Sequence, residues 1–367
     1  MNTYHRRQFL KQFFIAAAAT LPTAQRLLAH APSEVIAPDW ALLIDYARWC
    51  PTVHNLQPHK VKVISTTEAE LYYDAERLLK HGDPNAVFAT IALGIFHEHL
   101  SIAAAPHGFR VEMYDITGSV SVQKTRVCLF AKLRLVPSSA VEPLDRQLIL
   151  ERRTSRLHYD GRALPHTVCA QMAAEAARFG QEFFFSNDKN LVETMIDLNQ
   201  KTLFDDLNST ENCAELDRLF RYSHQEAERQ KDGLWAKCMN FPGKLVKSVF
   251  QNPAKWHNGL RHKILAKYYR SAFKGTSTLG WIGGNFEHTE DWLQAGRAFA
   301  RVWLVLTREQ AFLQPFGSLI TNPNANAIIQ KKFTQPSGNK QLWLVFRAGY
   351  SDEPARSYRL ATSEIIL

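Results

Sequence analysis

Cysteine is scarce in this 367-residue chain: the five present (Cys50, Cys128, Cys169, Cys213, Cys238) are scattered, odd in number and never in a C-x-x-C pair. That spacing implies neither a disulfide framework nor a zinc site. Histidine is more frequent, but only His54, beside Asn55, stands in a polar loop. His97 and His99 lie two apart in an apparent helix and face different sides, and the others read as solvated or core-edge. No metal and no catalytic side-chain acid or base is expected. Acid is nearly missing from one stretch: Arg229 to Lys274 holds eleven Lys or Arg and one carboxylate, Asp232. The remainder is close to neutral, so the net charge of +9 belongs to that segment.

The N-terminus lacks a run long enough for a comfortable membrane span. It has Arg6-Arg7-Gln-Phe-Leu-Lys11 followed by the short, moderately apolar Phe13 to Leu21, which resembles a twin-arginine export signal. Residues 1–31 are read as that signal, with cleavage after Ala24 or Ala31. The expectation is a periplasmic or otherwise exported protein that passes the twin-arginine machinery already folded, as suits a cofactor loaded in the cytoplasm.

What is present alternates helix and strand. Trp40 to Trp49 reads as a short helix and Lys60 to Ile64 as a strand, with another near Leu71 to Tyr73. Asp83-Pro84 is a helix-start signal, leading to the almost wholly apolar Val87 to Ala105, which must be central. Phe109 to Tyr114 and Val127 to Val136 read as strands. After the seam at Pro137 the order of signals begins again: a helix, a Pro165-started helix to Gly180, a strand at Gln181 to Phe185, a long mainly helical region from Leu191 to Gly280, a helix at Trp292 to Thr307, and a strand at Gln341 to Ala348. The fold class is α+β in two related halves, 32–140 and 141–367, the second with a helical insertion at about 200–280. That insertion carries the basic run. It reads as a solvated lid, a membrane-surface patch or a nucleic-acid surface; Pro242 and Pro253 cut it into short helices, which favours the lid.

Four motifs remain: Pro51-Thr-Val-His-Asn-Leu-Gln-Pro58, Arg152-Arg-Thr-Ser-Arg156, Gln314-Pro-Phe-Gly-Ser318 and Gly349-Tyr with Pro354-Ala-Arg-Ser-Tyr-Arg359. The first is a neutral loop of donors and acceptors suited to a flat heterocycle. The second and fourth supply forked, permanently charged donors suited to a phosphate. In this order they resemble the nitroreductase family of flavoproteins, in particular its Acg-type branch with two fused nitroreductase-like halves.

The resemblance implies FMN as cofactor and an intramolecular pseudo-dimer, hence a monomer with one site. Arg152, Arg153, Thr154, Arg156, Arg356 and Arg359 would hold the phosphate and ribityl chain. Pro51, Thr52, His54, Asn55 and Gln57 would meet the ring edge, and Pro315, Phe316 and Gly317 would run along the ring. It implies electron transfer from NADPH, NADH or another donor through FMN to a nitroaromatic or quinone-like acceptor. An FMN store with little turnover is the alternative. Expected partners are that small-molecule acceptor and the export machinery, with membrane-surface contact as an open option and no nucleic acid. His59, where the family has tryptophan, and Val53, where it has a small hydroxyl residue, are expected to alter the acceptor pocket.

Overall fold

Hydrophobic periodicity in each half closes onto its own antiparallel sheet. In the computed structural model, which describes residues 36–367, the first half contains α1 (Trp40–Ala47), β1 (His59–Val63), β2 (Glu68–Asp74), α2 (Val87–Ala104), β3 (Phe109–Tyr114) and β4 (Val127–Pro137). The segment read as an export signal lies outside the described residues.

A short α3 (Gln147–Glu151) leads into the second half: α4 (His166–Ala177), β5 (Glu182–Ser186), then an insertion of α5 (Lys189–Asp206), α6 (Thr210–Leu219), β6 (Phe220–Arg221), α7 (His224–Gln230), β7 (Leu234–Trp235), α8 (Gly243–Gln251) and α9 (Gly259–Ser271). It resumes with β8 (Thr278–Gly284), α10 (Thr289–Arg308), β9 (Phe312–Pro315), α11 (Gly317–Thr321), α12 (Pro323–Lys332), β10 (Gln341–Gly349) and α13 (Thr362–Ile365).

The sheets run β1-β2-β4-β3 and β5-β8-β10-β9, all antiparallel. Counted within each half, both orders are first, second, fourth, third. In both halves a helix precedes the first strand and a long helix joins the second to the third. The long helices, α2 and α10, cross at the centre. A Cβ on Gly94 would lie 2.3 Å from the Leu293 carbonyl oxygen, and one on Gly296 would lie 2.1 Å from that of Ile91. Each glycine thus faces the carbonyl three residues before the other, as a local twofold requires, and hydrogen alone fits there. Helix α2 is long and apolar enough to cross a bilayer, but 83% of it is buried in this core.

Beside the crossing, buried Arg301 of α10 meets Glu98 of α2 at 2.9 Å, Glu142 of the connecting segment at 2.7 Å, and Glu175 of α4. A charge buried this deeply is tolerated because carboxylates surround it, so the ion cluster fixes the two halves to their connection.

Several expectations change. The helix foreseen at Asp83 begins at Val87; Asp83 instead accepts from Ala89 N at 3.0 Å and caps it from a preceding turn. His97 and His99 are both buried, His97 bonding the Val111 carbonyl oxygen at 2.9 Å. The insertion spans 187–277 and is followed by an unforeseen strand, β8, in which every residue is buried. The end of the second half also returns to the first: Ile366 bridges Val61 in parallel, and Leu367 N donates to the Val61 carbonyl oxygen at 2.8 Å.

Candidate functional site

One wall of the site is the loop between α1 and β1. Within four positions it holds three non-glycine residues in the left-handed region, His54 (φ 47°), Asn55 (φ 58°) and Gln57 (φ 52°). Each costs roughly 1–2 kcal/mol against the right-handed default, so the conformation must be held from outside. Thr52 Oγ1 accepts from Gln57 N at 3.0 Å, and Asn55 Nδ2 donates to the Tyr358 carbonyl oxygen at 3.1 Å. Gln57 Nε2 donates to the carbonyl oxygens of Asn55 (3.1 Å) and Lys231 (2.9 Å), while its Oε1 accepts from Leu360 N at 2.9 Å. The loop is therefore stapled to both the insertion and the C-terminal tail.

The opposite wall starts where α3 ends. Arg152 leaves helical geometry as the C-cap, donates to the Trp49 carbonyl oxygen at 3.2 Å and lies 4.3 Å from the Trp303 ring. Arg153 donates to the Pro354 carbonyl oxygen at 3.1 Å and pairs with Glu353. Arg156 donates to the Cys238 carbonyl oxygen at 3.3 Å. From the tail, Arg356 stacks 3.5 Å over Trp49, and Arg359 bonds Ser357 Oγ at 2.7 Å.

Beneath this wall lies Arg347, wholly buried on the central strand β10. It reaches Gln314 Oε1 at 2.9 Å and the carbonyl oxygens of Leu157 and Ala272, both at 2.8 Å. It thereby fixes the arginine loop to β9 and to the end of the insertion.

Between the walls opens a cleft with about 760 Å³ of unfilled space, part of it open to solvent. Pro51, Thr52, His54, Asn55, Arg152, Arg153, Thr154, Arg156, Arg356 and Arg359 all line it, so residues distant in sequence converge. Its roof is the Gly233 to Met239 segment, with Trp235 and Cys238, supplied by the insertion.

No carboxylate lines the cleft among the described residues. The electrostatics follow from that lack. Burial, then repulsion from Arg359, lowers the Arg152 pKa to about 9; burial, then Arg356 and Arg48, lowers Arg359 to about 10. Arg156 and Arg356 are lowered in the same way, burial first. All stay protonated at neutral pH. His54 is neutral there, its pKa lowered to about 4 chiefly by loss of solvent. Among the described residues, Nε of Arg152, Arg153 and Arg359, Nδ1 of His54 and Oδ1 of Asn55 have no hydrogen-bond partner, and all five belong to residues lining this cleft. Buried donors left unpaired are costly, and of the five lining arginines only Arg153 has a carboxylate partner among the described residues, Glu353, so the site favours an anion.

Other sequence-predicted residues are placed elsewhere. Gln57 is buried behind the loop with its amide committed to protein. Pro315 pairs with Phe346 in the sheet, Phe316 packs on Phe273 in the core, and Gly317 opens α11; none lines the cleft. From their motif, Gln314 accepts from Arg347, which in turn donates to the Leu157 carbonyl oxygen of the arginine loop. His59 is buried against Phe96 at 4.4 Å, and neither it nor Val53 lines the cleft. Differences at these two positions therefore bear on the first-half core and the loop. Trp49, Trp235, Cys238 and Met239 were not foreseen; the aromatic residues interleaved with the basic run were the one available signal, and Trp235 is among them.

Three solved structures illustrate the likenesses. The FMN- and NADPH-dependent nitroreductase NfnB from sphigopyxis sp. strain HMH is 9% identical, with 60% of this chain and 96% of that chain covered and a TM-score of 0.34. A nitroreductase with bound FMN from Bacteroides fragilis is 14% identical, with 58% and 91% covered and a TM-score of 0.32. Oxidized iodotyrosine deiodinase bound to FMN and 3-iodo-L-tyrosine is 14% identical, with 58% and 93% covered and a TM-score of 0.33. No family model matches the chain, and no curated protein does.

Proposed function

We propose that the chain is an FMN-binding oxidoreductase of nitroreductase type, of the Acg-like branch with fused halves. The observation that carries this reading is the cleft: four arginines without a carboxylate partner face a neutral Thr52-His54-Asn55 loop from the other half of the chain. A phosphate monoester carries nearly two negative charges, and the unpaired guanidinium Nε atoms suit it. Arg152, Arg356 and Arg359 would hold the phosphate, with Arg153, Arg156 and Thr154 beside it. The unpaired Asn55 Oδ1 and His54 Nδ1 offer an acceptor and a ring nitrogen to a heterocycle edge. When bound, FMN would supply two-electron chemistry between a nicotinamide or other donor and a nitroaromatic or quinone-like acceptor. The protein's part is to bind, orient and, through the Gly233 to Met239 roof, exclude water.

On this reading the chain is a monomeric pseudo-dimer with one flavin, exported folded through the twin-arginine pathway to the periplasm. The test is the FMN-to-chain ratio with the solution mass. One FMN on a monomer is expected, and a colourless protein that takes up no FMN refutes the proposal.

The roof gives a second reading specific support. Asp232, beside it, is held by Arg221 at 2.7 Å and by Arg77 of the first half at 3.0 Å, which latches the insertion down. A roof latched in this way suits an FMN store. Anaerobic addition of NADPH or NADH separates the readings: bleaching of the flavin band marks the enzyme, and an unchanged band the store.

A further inference from the structure

Of the eleven Lys and Arg between Arg229 and Lys274, four lie on α9. Its sequence, Gly-Leu-Arg-His-Lys-Ile-Leu-Ala-Lys-Tyr-Tyr-Arg-Ser, contains no acid. Leu260, Ile264 and Tyr268 recur every fourth residue and so share one helix face, where they are 74%, 59% and 39% exposed. Helical rotation places Lys263 and Lys267 on one side of this stripe and Arg261 on the other, all exposed. The opposite face is the one that packs: Leu265 is buried, Tyr269 bonds Asn199 through its hydroxyl at 2.7 Å, and Arg270 pairs with Glu193 and Asp197 of α5. The helix is thus anchored by one face; on the other, Tyr268 packs on Phe241 at the edge of the stripe, while Leu260 and Ile264 stand exposed.

We propose that this outer face of α9 docks on an anionic lipid surface. Exposed Leu260 and Ile264 flanked by lysines satisfy both parts of an interfacial helix: the apolar side chains enter the headgroup boundary, and the lysine stems lie along them with their ammonium groups in the headgroup layer. A purely polyanionic partner such as nucleic acid would use the cations and leave Leu260 and Ile264 in water. The face also communicates with the cleft. Tyr268 Oη donates to the Asn240 carbonyl oxygen at 3.1 Å, and Asn240 Nδ2 donates to the Arg156 carbonyl oxygen at 3.1 Å. A docked α9 is therefore two hydrogen bonds from the arginine wall.

The test uses the full chain with vesicles of phosphatidylcholine, alone or mixed with phosphatidylglycerol, in flotation. Binding to the mixed vesicles and not to the neutral ones is expected. Lys263→Gln with Lys267→Gln should weaken it by about fivefold for each charge removed. Leu260→Ser with Ile264→Ser should weaken it by about tenfold through lost apolar burial; both positions are exposed, and unchanged thermal unfolding would confirm the fold. Undiminished vesicle binding by the Leu260→Ser/Ile264→Ser chain overturns the proposal, whether the N-terminal segment or bulk charge is then responsible. So does duplex DNA binding as tight as vesicle binding and indifferent to the serine substitutions.

Discussion

In the first half the two leading strands are joined by residues 64–67; in the second, the equivalent connection runs through residues 187–277 and carries five helices. Strand order, antiparallel pairing and the glycine crossing survive this difference. A sheet edge tolerates a long insertion because the connection lies outside the ladder and its closure entropy grows only slowly with length. The halves have diverged in what they bring to the cleft: the first supplies a neutral, strained loop, the second an arginine wall and its roof.

The comparison breaks most directly at the helix crossing. Gly94→Ala and Gly296→Ala each push a methyl group into a backbone carbonyl, and each should cost about 3 kcal/mol. Urea unfolding should show equal midpoint shifts; if one substitution is harmless and the other severe, the local twofold fails.

The cleft comes next. Arg152→Ala removes a charged donor from the second half and should weaken FMN binding roughly thirtyfold, whereas Asn55→Ala removes a neutral contact from the first and should weaken it about fivefold. Titration by flavin fluorescence reads both, and full affinity in either variant would end the idea of a site shared between halves.

Acid sensitivity should sit in the first half, where His59, His97 and His99 are all buried. Burial lowers His59 to about 3 and His97 to about 4, and takes His99 well below its ordinary value. Unfolded imidazoles titrate near 6.5, so the unfolded chain takes up protons first. The stabilisation from keeping these rings neutral is complete above that value and is lost as pH falls toward 4. At pH 5 the loss is on the order of 2 kcal/mol per histidine. His59→Phe should flatten the fall in stability between pH 7 and pH 5 by about that amount, and an unchanged slope would place the sensitivity elsewhere.

The smallest effect concerns the latch. Asp232→Ala leaves Arg221 and Arg77 without their shared partner and should speed proteolytic cutting within 231–243 about fivefold, an effect of about 1 kcal/mol. Cutting that is no faster would show that Gln57 and Lys231 hold the roof unaided.

Much of this architecture was legible because amphipathic periodicity and turn residues act locally. Phe109 to Tyr114 was read to the residue, and the apolar character of Val87 to Ala105 announced a central helix. Strand β8 was not legible. Thr-Leu-Gly-Trp-Ile-Gly-Gly is buried on both faces, so it shows no alternation, and its three glycines read as a break. In the tertiary structure two of those glycines sit where a side chain would collide: a Cβ on Gly280 would lie 2.6 Å from the Phe346 ring, and one on Gly283 would lie 2.5 Å from the Pro336 ring and 2.9 Å from the Gln341 carbonyl oxygen.

The sequence by itself determined the two repeating α+β patterns, the neutral loop and the arginine-rich segments, since each is a property of neighbouring residues. Only the tertiary structure decided which of them meet. Arg152 faces Asn55, Gln57 and Phe316 turn away, and Trp235 and Cys238 enter from the insertion. Such convergence depends on helix crossing, strand register and the returning tail, which are long-range packing outcomes that no local pattern encodes.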